Sequence, residues 1–151
     1  MRDDRNERIM IGSEQFHATC VSVSGKGVLL LGDSGCGKSD LALRLIDRGA
    51  VLVGDDYVLI HKNGNSLLAS PVLRLAGIME IRGIGILEVP YLQGAALSLA
   101  VKLIARNAVE RMPEAPEFFD CLDVKVPLVS LHAFDSSTPA KIRAILQYSA
   151  A

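Results

Sequence analysis

The sequence predicts a mixed α/β fold, on three observations. A short apolar run, Val28-Leu29-Leu30-Leu31, ends at a glycine-rich loop. An amphipathic segment follows that loop at once. Strand-like segments then fill most of the chain before a second helical segment closes it.

Each element has its own signal. The run at 28–31 is apolar throughout, as in a strand buried on both faces. Over residues 39–48, Leu41, Ala42, Leu45 and Ile46 form one stripe of a helix, and Gly49 stops it. Val51, Leu52 and Val53 make a second short strand that ends in Gly54-Asp55-Asp56. Residues 57–61 and 67–69 flank Asn63-Gly64-Asn65, a hairpin signal. Leu97, Leu99, Val101 and Leu103 alternate with Ser98, Ala100 and Lys102, as in a strand with two unlike faces. Residues 109–117 hold Pro113, Pro116 and several charges, which predicts a mobile loop. Residues 124–134 read as another strand. Thr138 and Pro139 pair a cap residue with proline at the first helical position, opening a closing helix to about Tyr148.

The bulk properties narrow the function classes. With 151 residues, half of them hydrophobic, the chain is expected to close one core as one domain. Sixteen basic and seventeen acidic side chains give a net charge of −1, so no global basic field draws nucleic acid or an anionic membrane. Cys20, Cys36 and Cys121 are odd in number and lack CxxC spacing, which argues against a disulfide framework or a zinc site. Residues 1–10 alternate charges without an apolar run and are expected to be a flexible tail, leaving 11–151 as the domain. No stretch approaches the ~18 apolar residues of a membrane span. A soluble cytoplasmic protein is the expectation.

The loop carries the first chemistry. Gly32-Asp33-Ser34-Gly35-Cys36-Gly37-Lys38-Ser39 fits G-x-x-x-x-G-K-[ST]. Its glycines let the backbone wrap close to phosphate oxygens with successive N–H groups pointing inward. The helix that follows aims its positive end at the same anion. Lys38 neutralises phosphate charge, and the Ser39 hydroxyl is a ligand for Mg²⁺. A chance match in a chain this long is roughly half a percent, so the loop is read as a binding site. Cys36 is read as tolerated within it. Transfer of a phosphoryl group needs carboxylates as well. Asp55 and Asp56 lie just past a strand, where ligand crevices of α/β folds open.

Further motifs carry a resemblance. Glu80-Ile81-Arg82-Gly83-Ile84-Gly85-Ile86 resembles the signature of the bacterial HPr kinase/phosphorylase family. So does the order of motifs: His17, the glycine loop, Gly54-Asp55-Asp56, Glu80-Ile81-Arg82-Gly83, then Glu110-Arg111-Met112-Pro113. The likeness runs from about Phe16 to the C-terminus. It implies a P-loop domain of the phosphoenolpyruvate-carboxykinase-like type, a mixed sheet with flanking helices. It implies an ATP- and Mg²⁺-dependent kinase that phosphorylates a serine of the small carrier HPr. It implies reversal by phosphorolysis, with inorganic phosphate consumed and pyrophosphate released, in a homo-hexamer.

The resemblance also implies roles. Lys38 and Ser39 match the phosphate lysine and the magnesium hydroxyl. Asp56 matches the aspartate that takes the serine proton, and Asp55 its metal-linked or orienting neighbour. Glu80 matches a magnesium carboxylate, His17 a catalytic-site histidine, and Arg111 the arginine of a mobile loop. Gly83 and Gly85, set in an apolar stretch, predict close backbone approach. Two departures stand out. The likeness is to the catalytic domain alone, and the N-terminal domain of longer members is expected to be missing. The family's Arg-Pro-Gly-Arg stretch falls near Asp135-Ser136-Ser137-Thr138-Pro139, without its two cations. The rival readings are a small-molecule kinase or NTPase, and a non-catalytic nucleotide sensor.

Overall fold

The structure is a computed structural model, and it describes residues 12–149. The expected tail at 1–10 lies outside the described residues.

Three strands run parallel through the middle. These are β3 (Lys26–Leu31), β9 (Ala95–Leu103) and β11 (Val124–Leu131). Beyond β3 lie β2 (Thr19–Val23) and then β4 (Val51–Gly54), with β2 antiparallel to both neighbours. The far edge of β9 is shared by two partners. Its start, Ala95 and Ala96, pairs with β6 (Ser66–Pro71), and Ala100 to Leu103 pair with β11. β6 continues to β5 (Val58–Asn63) and β1 (Ser13–Phe16), while β10 (Glu117–Cys121) covers the outer edge of β11. β7 (Ile78–Ile81) and β8 (Gly85–Glu88) form a separate hairpin.

Side-chain alternation divides the core. Val28 and Leu30 of β3, with Leu99 and Val101 of β9, face helix α1 (Lys38–Asp47) and helix α2 (Thr138–Tyr148). Leu41, Ala42 and Leu45 of α1 and Ile142 of α2 fill that cluster, and Met79 of β7 joins it. Leu29 and Ala100 face the other way, against Val58, Ile60 and Leu67 of the β5–β6 hairpin and Val126 of β11. Both faces of β3 are therefore buried, which is why its sequence is an unbroken apolar run.

The structure corrects several sequence expectations. β1, β2, the β7–β8 hairpin and β10 have no counterpart in them. β2 reads Thr-Cys-Val-Ser-Val and is buried throughout, so its polar residues hide a core strand. The strand expected over 124–134 ends at Leu131, and the 109–117 loop gives way to β10 at Glu117. Thr138 is not a cap: Ser137 holds that position, without a side-chain cap bond, and the buried Thr138 hydroxyl donates to the His132 carbonyl at 2.5 Å. Gly83 and Gly85 answer to backbone conformation rather than close approach. Their φ angles are 91° and 107°, and a Cβ on either would meet nothing.

Cys20 of β2 gives the core a measurable signature. Burial pushes its thiol from the ordinary 9.0 up to about 12, against a smaller opposing effect from the Val28 backbone. An unfolded chain releases this proton near pH 9.0 and the folded chain only near 12. The contribution is therefore whole below pH 9.0 and lost as pH rises towards about 12. Urea unfolding of the wild type and Cys20→Ala should show a shallower alkaline loss of stability in the variant. Parallel losses would exclude Cys20 as a source of the slope.

Candidate functional site

Strand direction brings the sequence-predicted residues to one edge of the sheet. The glycine loop leaves the C-terminal end of β3, and Asp55 and Asp56 leave that of β4. β2 runs opposite to both, so His17, just before its first residue, starts at the same edge.

The loop leads into an uncapped helix start. Gly37 precedes α1 at φ 103°, and no side chain caps that helix end. Its N–H groups and the positive end of its dipole are left for a ligand. A Cβ on Gly37 would lie 2.7 Å from Ala133 Cβ and 2.8 Å from the Phe134 ring, so the loop packs here only with glycine. Lys38 is 6% exposed, and its ammonium donates to the carbonyls of Gly32 at 2.7 Å and Asp33 at 3.1 Å. The lysine is thus held across the base of the loop by the loop's own backbone. Cys36 packs its sulfur against the core rather than towards solvent alone.

The two aspartates separate at a tight turn. The Tyr57 N–H donates to the Asp55 carbonyl at 2.7 Å, and Asp56 between them has φ 71°. A turn closed over three residues at positive φ is the strained kind of γ-turn, costly except where the surroundings hold it. Gly54 makes it fit, since a Cβ there would meet Val58 Cγ1 at 2.7 Å. The turn sends Asp55 inward and Asp56 outward.

Asp55 is 5% exposed. One of its oxygens, Oδ1, accepts from the Ser39 hydroxyl at 2.7 Å and from the Thr19 hydroxyl at 2.9 Å. Among the described residues no cation pairs with it. Thr19 Oγ1 also accepts from the Asp56 N–H at 3.3 Å, so one hydroxyl ties both aspartates to β2. Asp56 Oδ1 lies 2.8 Å from His17 Nε2, with the Asp56 and His17 side chains 63% and 41% exposed. The His17 ring stacks on Tyr57, with centroids 5.1 Å apart.

The other predicted residues stand apart. Glu80 is exposed on β7, on the face opposite the buried Met79. Ile81 packs against the core, Arg82, Gly83 and Ile84 form the exposed turn, and Gly85 opens β8. Arg111 lies exposed in the irregular 109–116 segment. Among the described residues no hydrogen bond or ion pair joins Glu80 or Arg111 to the aspartates or the loop. Nor do three His, Cys, Asp or Glu side chains cluster as a metal set there. Hard oxygens are nevertheless present: Ser39 Oγ and an unneutralised, buried Asp55 carboxylate beside the phosphate loop. That donor set fits Mg²⁺, which takes one or two carboxylates and completes its shell with phosphates and water.

Sequence reasoning missed Thr19 and Tyr57. A threonine in a strand carries no signal of its own, and only the pairing of β2 beside β4 brings its hydroxyl to Asp55.

A glycine loop between strand and helix, with a buried carboxylate on its serine, defines a P-loop nucleotide-binding fold. A family model described as the HPr serine kinase C-terminal domain matches residues 8–145, and the chain belongs to that family. It is 38% identical over 133 residues to the HPr kinase/phosphorylase of Chlorobium phaeobacteroides, a match over 80% of this chain and 41% of that protein. Identity to the HPr kinase/phosphorylase of Treponema pallidum is 41% over 128 residues, spanning 77% of this chain and 40% of the relative. The chain thus spans about two fifths of the length of these curated relatives. Among solved structures, the HPr(Ser) kinase/phosphatase from Coxiella burnetii superposes with a TM-score of 0.78 at 26% identity, over 88% of each chain.

Thr19→Val tests the joint between the aspartates. It keeps the shape, removes one of the two hydroxyls on Asp55 and leaves the Asp56 N–H without its partner. We expect chemical denaturation to show a loss of about 1–3 kcal/mol. Unchanged stability would mean that water replaces the hydroxyl at no cost.

Proposed function

We propose that this domain transfers the γ-phosphoryl group of ATP to a serine of HPr or an HPr-like phosphocarrier, in the cytoplasm, and reverses the transfer by phosphorolysis. The observation that carries the reading is the division of labour between the adjacent aspartates. Asp55 is buried on the loop's serine, and Asp56 is open to solvent and paired with His17. Membership of the HPr serine kinase family supports the choice of a protein serine as acceptor.

In this reading the loop amides and Lys38 hold the β- and γ-phosphates. Lys38 exchanges its bonds to the Gly32 and Asp33 carbonyls for phosphate oxygens. Ser39 and Asp55 would hold Mg²⁺, with Glu80 as a further carboxylate. When bound, the ion neutralises charge on the phosphates as transfer proceeds. Asp56 takes the proton from the incoming serine hydroxyl, a weak nucleophile at neutral pH until that proton leaves. His17, stacked on Tyr57, holds Asp56 by Oδ1 and leaves the other carboxylate oxygen to face the acceptor. In reverse, Asp56 returns the proton to the serine oxygen while phosphate attacks phosphoserine and pyrophosphate departs. Arg111 approaches the transferring group from its loop. Residues 135–139 lack the two cations of the Arg-Pro-Gly-Arg stretch, so phosphorolysis should be weak relative to the kinase reaction. A homo-hexamer is the expected assembly, closed symmetry being usual for homo-oligomers.

Transfer of radiolabel from γ-labelled ATP to a purified HPr-like carrier tests the reading. Label on a carrier serine supports it. Release of free phosphate alone points to an NTPase, and tight binding without turnover to a nucleotide sensor. Asp56→Asn should slow both directions by ~10²–10⁴ while ATP affinity changes little. Loss of one direction only would remove Asp56 as the shared acid-base group. Glu80→Gln should raise the Mg²⁺ concentration at half-maximal rate. An unchanged Mg²⁺ titration would put Glu80 outside the coordination sphere.

A further inference from the structure

A cleft of about 450 Å³ opens beside the phosphate loop, lined by Gly32, Asp33 and Cys36 on one side and by Lys102, His132 and Phe134 on the other. It lies where the parallel strands β3, β9 and β11 end. Crevices at that end of an α/β sheet are where nucleotides sit. Its loop wall has a role above, whereas Lys102, His132 and Phe134 of the far wall have none.

The far wall is held by many contacts. The Thr138 hydroxyl donates to the His132 carbonyl at 2.5 Å. The Arg44 guanidinium of α1 donates to the carbonyls of Ala133 and Asp135. Arg106 pairs with the Asp135 carboxylate at 2.6 Å, and that contact holds Asp135 below the ordinary carboxylate range. Four side-chain contacts thus fix residues 132–135. What they fix in place is an aromatic ring, Phe134, left 54% exposed. An exposed phenylalanine on a rigid support is a stacking platform with nothing yet stacked on it.

His132 adds a polar preference. Its Nδ1 lies 2.9 Å from the Ile104 carbonyl, an acceptor, so Nδ1 carries the proton. Nε2 of the neutral ring is then an acceptor, and among the described residues no donor meets it. An exocyclic amine fits such a nitrogen; a ring carbonyl does not. The ring stands at 68° to Phe134 with centroids 5.9 Å apart, so the two rings form two walls of one corner.

We infer that this cleft seats the base of the bound nucleotide, with Phe134 stacking on it and His132 Nε2 selecting the amino group of adenine over the carbonyl of guanine. The inference rests on the phosphate-binding role of the loop proposed above, and the test separates the two. The affinities of ATP, GTP and inorganic tripolyphosphate for the full chain are measured by calorimetry with Mg²⁺. We expect ATP to bind roughly tenfold tighter than GTP and about tenfold or more tighter than tripolyphosphate. Phe134→Ala should lose about tenfold in ATP affinity, with tripolyphosphate unchanged. His132→Phe should bring ATP and GTP to equal affinity. Failure of tripolyphosphate and ATP alike to bind the wild type overturns the phosphate loop reading and this one with it. Tripolyphosphate binding as tightly as ATP overturns the base seat alone, with the loop intact. Equal weakening of ATP and tripolyphosphate by Phe134→Ala also overturns it, because the ring would then serve only to brace Gly37. Persistent preference for ATP in His132→Phe removes His132 from base selection.

Discussion

The carboxylate of Asp55 is the point on which the candidate site depends. One oxygen gathers hydroxyls from two elements distant in sequence, Thr19 of β2 and Ser39 of α1. A buried carboxylate without a cation is costly unless its bonds and surroundings favour the charge. Two hydroxyl donors and the nearby positive end of α1 do so here. The arrangement is also incomplete, because the other oxygen has no partner among the described residues. A divalent cation brought in with phosphates would complete it, and Ser39 could turn from Asp55 to the ion without stranding the carboxylate. Thr19, bonded to both Asp55 and the Asp56 N–H, keeps the strand β2 registered against the turn after β4.

Strand direction decides what can meet Asp55. β3, β4, β9 and β11 share one sense, and β2 runs against them. Their loop-bearing ends therefore coincide with the start of β2. The phosphate loop, the aspartate turn, His17 and the 132–135 segment arrive at a single edge without any long excursion of the chain. The opposite edge receives the β2–β3 and β10–β11 turns, and with them the end of β2. A reversal of β2 would remove both His17 and Thr19 from the site while leaving every local sequence signal unchanged.

Much of this was legible in the sequence, and the boundary has physical causes. β3 and β4 were legible as unbroken apolar runs, and α1 and β9 because each buries an apolar stripe at its own period. β2 was not, since Thr19 and Ser22 interrupt its apolar residues while the fold buries all five positions. β7 and β8 escaped because exposed Ile84 and Ile86 and two glycines blur the alternation. The loop residues were legible from spacing alone, because phosphate binding demands glycines at fixed offsets. His17, Glu80 and Arg111 were not: single polar residues carry no period, and only resemblance to a family singled them out. The fold then joins His17 to Asp56 and leaves Glu80 and Arg111 without a contact there. The contact between Thr19 and Asp55 lay beyond sequence reasoning altogether, for it depends on which strands pair.

The adjacent aspartates show how little chain is needed to create two chemical environments. Asp55 and Asp56 are successive residues, yet one is nearly sealed from water and the other open to it. The strained turn at Asp56 sets where the outward carboxylate stands. An ordinary extended continuation of β4 would also have alternated the two side chains, one to each face of the sheet. The turn does something else: it lifts Asp56 off the sheet edge and swings it back over the start of β2, where His17 stands. The strain at φ 71° is tolerated because Gly54 permits the close packing of Val58 and because Thr19 receives the Asp56 N–H. A carboxylate that must take up and return a proton needs access to solvent and acceptor, and one that must hold a metal needs a dry, fixed seat. A single γ-turn creates both settings in successive residues, and relaxing it would take Asp56 away from His17.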